Sequence, residues 1–201
     1  MTNTITYLSP AKLNLFLHIT HKRTDGYHEL QTVFRLLNWG DTMRFEVSGD
    51  YFEPPPNPLL AKEGELLPIR LHCEKQLTDN PNDNLIIKSA IALLNELKKN
   101  NPPPNLPIID IYLDKKIPTG AGLGGGSSNS ATTLMILNQL WQLNFNKQQL
   151  QAIGATLGAD VPIFIYGQNA IAEGIGEIFT PISLPPQNYL LLMPSAHIST
   201  A

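Results

Sequence analysis

Ile117 to Ala131 reads I-P-T-G-A-G-L-G-G-G-S-S-N-S-A, placing Gly120, Gly122, Gly124, Gly125 and Gly126 ahead of a Ser127-Ser128 pair. Upstream, Ile108 to Leu113 (I-I-D-I-Y-L) alternates and carries β-branched residues, which predicts a strand. Downstream, Ala131 to Leu143 has helical spacing, with Leu134, Leu137 and Trp141 on one face and Ile136, Leu140 and Leu143 on another. A strand, a glycine-rich turn and a helix N-terminus in that order make an anion site. Glycines let backbone N–H groups approach oxygens, and the helix end adds partial positive charge. The expected ligand is a phosphate chain. A flexible linker is the plain alternative, but five glycines held between a strand and an apolar helix argue against it.

Spacing separates this loop from other glycine-rich motifs. Gly120 to Gly125 matches G-x-G-x-x-G, but that dinucleotide fingerprint wants an acidic residue about 20 positions on, and no Asp or Glu lies between Gly126 and Ala159. A Walker A loop needs Gly-Lys-Ser/Thr, whereas Ser127 follows Gly126 directly. The protein-kinase loop would need a Val two places after its last glycine and a V-A-I-K strand, and neither is present.

The whole sequence sets wider bounds. Its 201 residues are 42% hydrophobic and 15% charged, enough for one core and part of a second. A net charge of −3 gives no basic footprint for nucleic acid. Cys73 is the single cysteine, so no internal disulfide forms, which suits a reducing cytoplasm. No signal peptide is visible at Met1 to Thr6, and apolar runs such as Tyr189 to Met193 are too short to span a bilayer. The expectation is a soluble cytoplasmic protein.

Along the chain, Ile5 to Ile19 reads as a strand in which Lys12, Asn14, Phe16 and His18 share one face and Leu13, Leu15, Leu17 and Ile19 the other. Lys12 and Asn14 then lie about 6.6 Å apart. Asp25-Gly26 is a turn dipeptide that presents the rings of Tyr27 and His28. Val33 to Val47 predicts two strands around Trp39-Gly40-Asp41, and the proline-rich Asp50 to Pro68 a long surface loop. Ile69 to Cys73 reads as a short strand, and Pro102 to Pro104 as a rigid connector. Asn80 to Asp83 would cap a helix from about Asn84 to Lys99, striped by Ile86, Ala90, Leu93 and Leu97. A second helix, Asn146 to Leu157, would end at Gly158, followed by Asp160 and an apolar strand, Ile163 to Tyr166. Asp160 has two explanations: it satisfies orphan backbone groups, or it is held for chemistry.

The stretch P-T-G-A-G-L-G-G-G-S-S-N-S-A resembles the phosphate loop of the GHMP small-molecule kinases. Within them, G-G-G-S-S-N is similar to the branch acting on 4-diphosphocytidyl-2-C-methyl-D-erythritol. S-P-A-K-L-N-L-F-L resembles the family's first motif, D-G-Y-H-E-L-Q-T its second, and L-G-A-D-V-P its catalytic-aspartate motif, while D-N-L-I and A-E-G-I-G-E match its style.

The resemblance implies an α+β, two-domain architecture, with a nucleotide domain over residues 1–177 and the start of a truncated, ferredoxin-like second domain over 178–201. It implies ATP bound by Pro118, Thr119, Gly120, Ala121, Gly122, Leu123, Gly124, Gly125, Gly126, Ser127 and Ser128. Lys12 and Asp160 would be catalytic, with Asp160 also contacting substrate beside Asn14, Tyr27 and His28. The loop over Ala172 to Glu177 would lie beside the nucleotide. Mg²⁺ would accompany ATP, with Ser127 or Ser128 as a possible contributor and no ligand set evident. The implied reaction phosphorylates the substrate's 2-hydroxyl in isoprenoid-precursor synthesis. Another GHMP kinase, for homoserine or mevalonate, and a non-catalytic nucleotide-binding module remain open at this point.

Overall fold

The computed structural model describes residues 4–22, 28–52, 67–100 and 105–192. It is a mixed α+β structure, as the resemblance implies. Strands β1 (Thr4–Lys22) and β2 (His28–Phe52) form a long antiparallel pair. Beyond Thr42, β2 also pairs antiparallel with β4 (Leu106–Asp114), which pairs parallel with β3 (Ile69–Cys73). Over Thr32–Phe34, β2 instead pairs with β5 (Ala170–Glu173), and β5 pairs with β6 (Ile178–Pro181). The expected domain division after residue 177 therefore falls inside the β5–β6 hairpin.

Period-two alternation sets the core. Met43 and Phe45 of β2 and Ile109 and Ile111 of β4 point inward and are buried, while Arg44, Glu46, Asp110 and Tyr112 take the other face. Four helices among the described residues supply much of the remaining core: α1 (Leu85–Asn100), α2 (Gly125–Leu140), α3 (Lys147–Leu157) and α4 (Val161–Tyr166). Ile86, Ala90 and Leu93 of α1 pack in one cluster with Leu134 and Leu137 of α2 and Ile163 of α4. Each large apolar side chain so buried stabilises the fold by about 1.5–3 kcal/mol.

Capping explains where the outer helices start. A short 3₁₀ turn, Pro81–Asp83, precedes α1, and the Asn84 Oδ1 accepts the Ile86 N–H at 2.9 Å. Asn146 and Gln149 form a reciprocal capping box on α3.

Several expectations change. The two strands expected around Trp39-Gly40-Asp41 are one continuous β2. Gly40 is there for close approach, not for turning: a Cβ on it would lie 2.1 Å from the Ser9 carbonyl oxygen. The strand expected at Ile163 to Tyr166 is the helix α4, begun by Pro162 in its first turn and ended by Gly167 at φ 78°. Short apolar runs carry no period that separates the two. The apolar run from Tyr189, strand-like in sequence, has no regular structure over Tyr189 to Leu192, and Leu190 is 85% exposed. No described strand pairs with them, although Arg35 of β2 lies 5.4 Å from the Tyr189 ring centroid. In β1, register shifts near Pro10, Leu15–Phe16 and Thr20 break the simple alternation, and Leu15, Phe16, Leu17 and Ile19 are all exposed.

Most of the proline-rich loop (53–66), Pro102 to Pro104, the Asp25-Gly26 turn and Tyr27 lie outside the described residues. Among described residues, no helix is long and apolar enough to cross a membrane.

Candidate active site

The glycine-rich loop joins the end of β4 to α2. The helix starts six residues earlier than its apolar spacing predicts, at Gly125, with Gly124 as N-cap in the left-handed region. No side chain caps it and no acidic residue sits in its first turn. Its leading N–H groups are therefore free for an anion. A cavity of about 310 Å³ opens over this end, its lining including Pro118 through Ser127, Lys115, Asn129 and, from the approach to α1, Asp83 and Asn84. Ser128 does not face it. At 0% exposure, its Oγ accepts a hydrogen bond from Ser9 Oγ at 2.9 Å beneath the loop.

β1 crosses under the loop, and the Lys12 N–H donates to the Leu123 carbonyl at 3.0 Å. Lys12 is 5% exposed, and its Nζ lies 3.1 Å from Asp160 Oδ2 and 2.5 Å from Asn14 Oδ1. Its stem runs past Gly124, where a Cβ would come within 3.1 Å of Lys12 Cγ and 2.9 Å of the Phe164 ring. Glycine at 124 is thus required twice, by packing and by a φ of +70°.

Asp160 is the N-cap residue of α4, yet its side chain makes no capping hydrogen bond. Of its two explanations, backbone satisfaction is not what the geometry provides. The carboxylate instead faces Lys12, with a third of its side chain open to solvent. Lys12, Asn14 and Asp160, 148 residues apart at the extremes, thus meet at one edge of the phosphate loop. Tyr27 and the His28 side chain lie outside the described residues. Glu173 accepts from Gln31 Nε2 at 3.0 Å in the β5–β6 hairpin, and that hairpin does not line the cavity.

Sequence reading passed over the group that holds the loop in place. Asp41, fully buried, accepts from the N–H groups of Lys116 and Ile117, each at 2.7 Å, from Asn129 Nδ2 at 3.0 Å, and from Lys115 Nζ. Asn129 Nδ2 also reaches Ser9 Oγ at 2.9 Å. One carboxylate thereby ties β2 to the start of the loop and to the first turn of α2. Trp39-Gly40-Asp41 reads as a turn in sequence, and the partners that reveal Asp41 lie more than 70 positions away. Asp41→Ala would leave Lys115 and three N–H donors unpaired, at a cost of about 3–5 kcal/mol. The check is urea unfolding of both chains: a midpoint near that of the parent would show that Asp41 does not organise the loop.

The comparisons with known proteins agree with this geometry. Residues 84–168, which hold α1, the loop and Asp160, match the GHMP kinases N terminal domain. A 4-diphosphocytidyl-2-C-methyl-D-erythritol kinase from Psychrobacter cryohalolentis is 54% identical over 98% of this chain. The chain carries a GHMP kinases N terminal domain.

Another relative with that same kinase name, from Paraburkholderia xenovorans, is 45% identical over 96% of the chain. The chain spans 63% of the first of these relatives and 58% of the second. Among solved structures, a 4-(cytidine 5'-diphospho)-2C-methyl-D-erythritol kinase superposes with a TM-score of 0.64 at 34% identity, covering 90% of this chain and 56% of that one. Methanococcus jannaschii mevalonate kinase superposes with a TM-score of 0.58 over 90% of this chain and 56% of its own, and at 17% identity it shows the shared GHMP fold alone.

Proposed function

We propose that this chain transfers the γ-phosphoryl group of ATP to the 2-hydroxyl of 4-diphosphocytidyl-2-C-methyl-D-erythritol, a step of isoprenoid-precursor synthesis. The observation that carries the reading is the Lys12–Asp160 pair at 3.1 Å beside an uncapped, glycine-rich helix N-terminus. The names of relatives at 45–54% identity support the choice of acceptor.

Phosphoryl transfer calls for positioning and charge stabilisation more than covalent chemistry. The N–H groups of the loop would hold the triphosphate. Asp160 would orient the acceptor hydroxyl and take its proton. Lys12, a compact cation held by Asp160 and Asn14, would offset charge on the transferring group. Tyr27 and His28 would receive the cytosine-bearing end. Magnesium would supply charge neutralisation between the β- and γ-phosphates. Among the described residues, no three His, Cys, Asp or Glu side chains form a metal cluster. Magnesium on a nucleotide ordinarily takes one or two carboxylates with phosphate and water, so it does not require such a cluster. Ser127, which lines the cavity, is better placed to contribute than buried Ser128. The division into a nucleotide domain and a second domain belongs to the same reading.

The test is ADP release with Mg·ATP and each of three acceptors: the cytidyl substrate, mevalonate and homoserine. The reading expects the cytidyl substrate alone to stimulate turnover. In the same assay, Lys12→Ala should lower kcat by about a hundredfold with a smaller rise in the KM for ATP. The reverse split would make Lys12 a binding residue only. Nucleotide binding with no acceptor-dependent turnover would favour a nucleotide-binding module instead.

A further inference from the structure

We propose that Thr32 is a positioning residue for phosphoryl transfer, acting through Asn14 to fix the direction in which Lys12 presents its protons. The inference rests on the kinase reading above for its functional consequence, and on geometry for the linkage itself.

Three hydrogen bonds run in a row beneath the site. Lys12 Nζ meets Asn14 Oδ1 at 2.5 Å, Asn14 Nδ2 meets Thr32 Oγ1 at 2.9 Å, and Thr32 Oγ1 meets the Phe16 carbonyl at 2.5 Å. Both ends of this row have fixed polarity. An ammonium only donates, so the Asn14 atom facing Lys12 must be oxygen; a backbone carbonyl only accepts, so the Thr32 hydroxyl proton must point at Phe16. With its single proton committed there, Thr32 Oγ1 can only accept from Asn14, and the amide has one allowed orientation. Lys12 thereby has one proton assigned to Asn14, and Asp160 draws a second. The third is left for the transferring phosphoryl group, on a side where the Phe34 ring centroid lies 5.4 Å from Nζ.

The backbone explains why Thr32 can do this. It is fully buried in β2, between β1 and β5, so its side chain has no freedom to wander. Opposite it, β1 carries a register shift: Asn14 pairs with Phe34 and Leu17 with Thr32, so Leu15 and Phe16 together face Val33. That bulge turns the Phe16 carbonyl towards the Thr32 hydroxyl. A threonine in the middle of a sheet would otherwise be an ordinary β-former.

Thr32→Val keeps the shape and removes the acceptor, whereas Thr32→Ser keeps the hydroxyl. Thr32→Val should lower kcat by about tenfold, the scale of one hydrogen bond to a charged network. The Kd for Mg·ATP should stay within about twofold, because no loop N–H is touched. Thr32→Ser should recover most of kcat, and Thr32→Val should add nothing in an Asn14→Ala background. A second readout needs no turnover: ¹⁵N-edited spectra of the Asn14 side-chain amide. Its protons should shift and exchange faster in Thr32→Val and stay parent-like in Thr32→Ser. Equal losses from Thr32→Val with and without Asn14, a Ser variant as poor as Val, or an Asn14 amide indifferent to Thr32→Val would each overturn the proposal. A parent chain that shows the amide response but no acceptor-dependent turnover would instead overturn the kinase reading and uphold the linkage.

Discussion

Asp160→Asn is expected to cut acceptor-dependent turnover about a thousandfold, within the range for loss of a general base, while leaving ATP affinity nearly unchanged. The replacement is isosteric and keeps an oxygen for Lys12, but it cannot take a proton at neutral pH. Since the Asp160 side chain makes no capping bond to α4, its charge can be removed without unfastening that helix. The loop N–H groups over Gly125 to Ser127, the groups proposed to bind phosphate, are on a different element. The prediction therefore separates chemistry from nucleotide binding, and paired kcat and Kd measurements check it. Substantial activity in the variant would mean that the proton leaves by another route and that Asp160 is not the base.

Gly124→Ala is expected to weaken Mg·ATP binding and turnover together, each by at least about tenfold. Two costs combine. A left-handed backbone at φ +70° disfavours any L side chain by roughly 1–2 kcal/mol. The new methyl would also sit 2.9 Å from the Phe164 ring and 3.1 Å from Lys12 Cγ, and overpacking of this kind adds about 1–3 kcal/mol. Relief would have to come from moving the loop, the ring or the stem of Lys12. Gly122→Ala is the internal comparison. It has a similar φ of +71° with nothing within 4 Å of the added methyl, so it should pay the backbone cost alone. Titration calorimetry with Mg·ATP on both variants decides the point. Equal effects would show that contact with Lys12 and Phe164 is irrelevant to the loop.

These two residues differ in how legible they were. The phosphate loop could be read because its evidence is local: glycines in sequence, a strand before them and an apolar helix after. Helices α1 and α3 were legible from local apolar spacing, although the side chain that caps α1 is Asn84 and not one of the expected Asn80 to Asp83, and the Asn146 cap of α3 was not read. The true start of α2 was not. Glycine disfavours helix interiors by about 1 kcal/mol relative to alanine, so Gly125 and Gly126 read as loop. What places them in the helix is tertiary: Ser128 and Asn129 are fastened to Ser9 and Asp41. Gly40 looked like a turn because glycine often makes one, and only the proximity of Ser9 shows its use. Asp41 and Thr32 were invisible in sequence for a related reason. Each acts through partners on other strands or helices, and Thr32 through a bulge that no residue pattern announces. The lysine and aspartate of the site were found through resemblance to a family, not through spacing, since nothing local distinguishes Lys12 from a solvent-facing strand lysine.

The central claim is transfer of a phosphoryl group from ATP to a hydroxyl of the cytidyl substrate at the Lys12–Asp160 pair. Its most direct test is to incubate residues 1–201 with γ-labelled ATP, Mg²⁺ and 4-diphosphocytidyl-2-C-methyl-D-erythritol and to locate the label. The predicted result is label in a phosphate monoester at the 2-position, absent with Asp160→Asn. Label released only as inorganic phosphate, or a folded, ATP-binding chain that leaves the substrate unlabelled, would contradict the account.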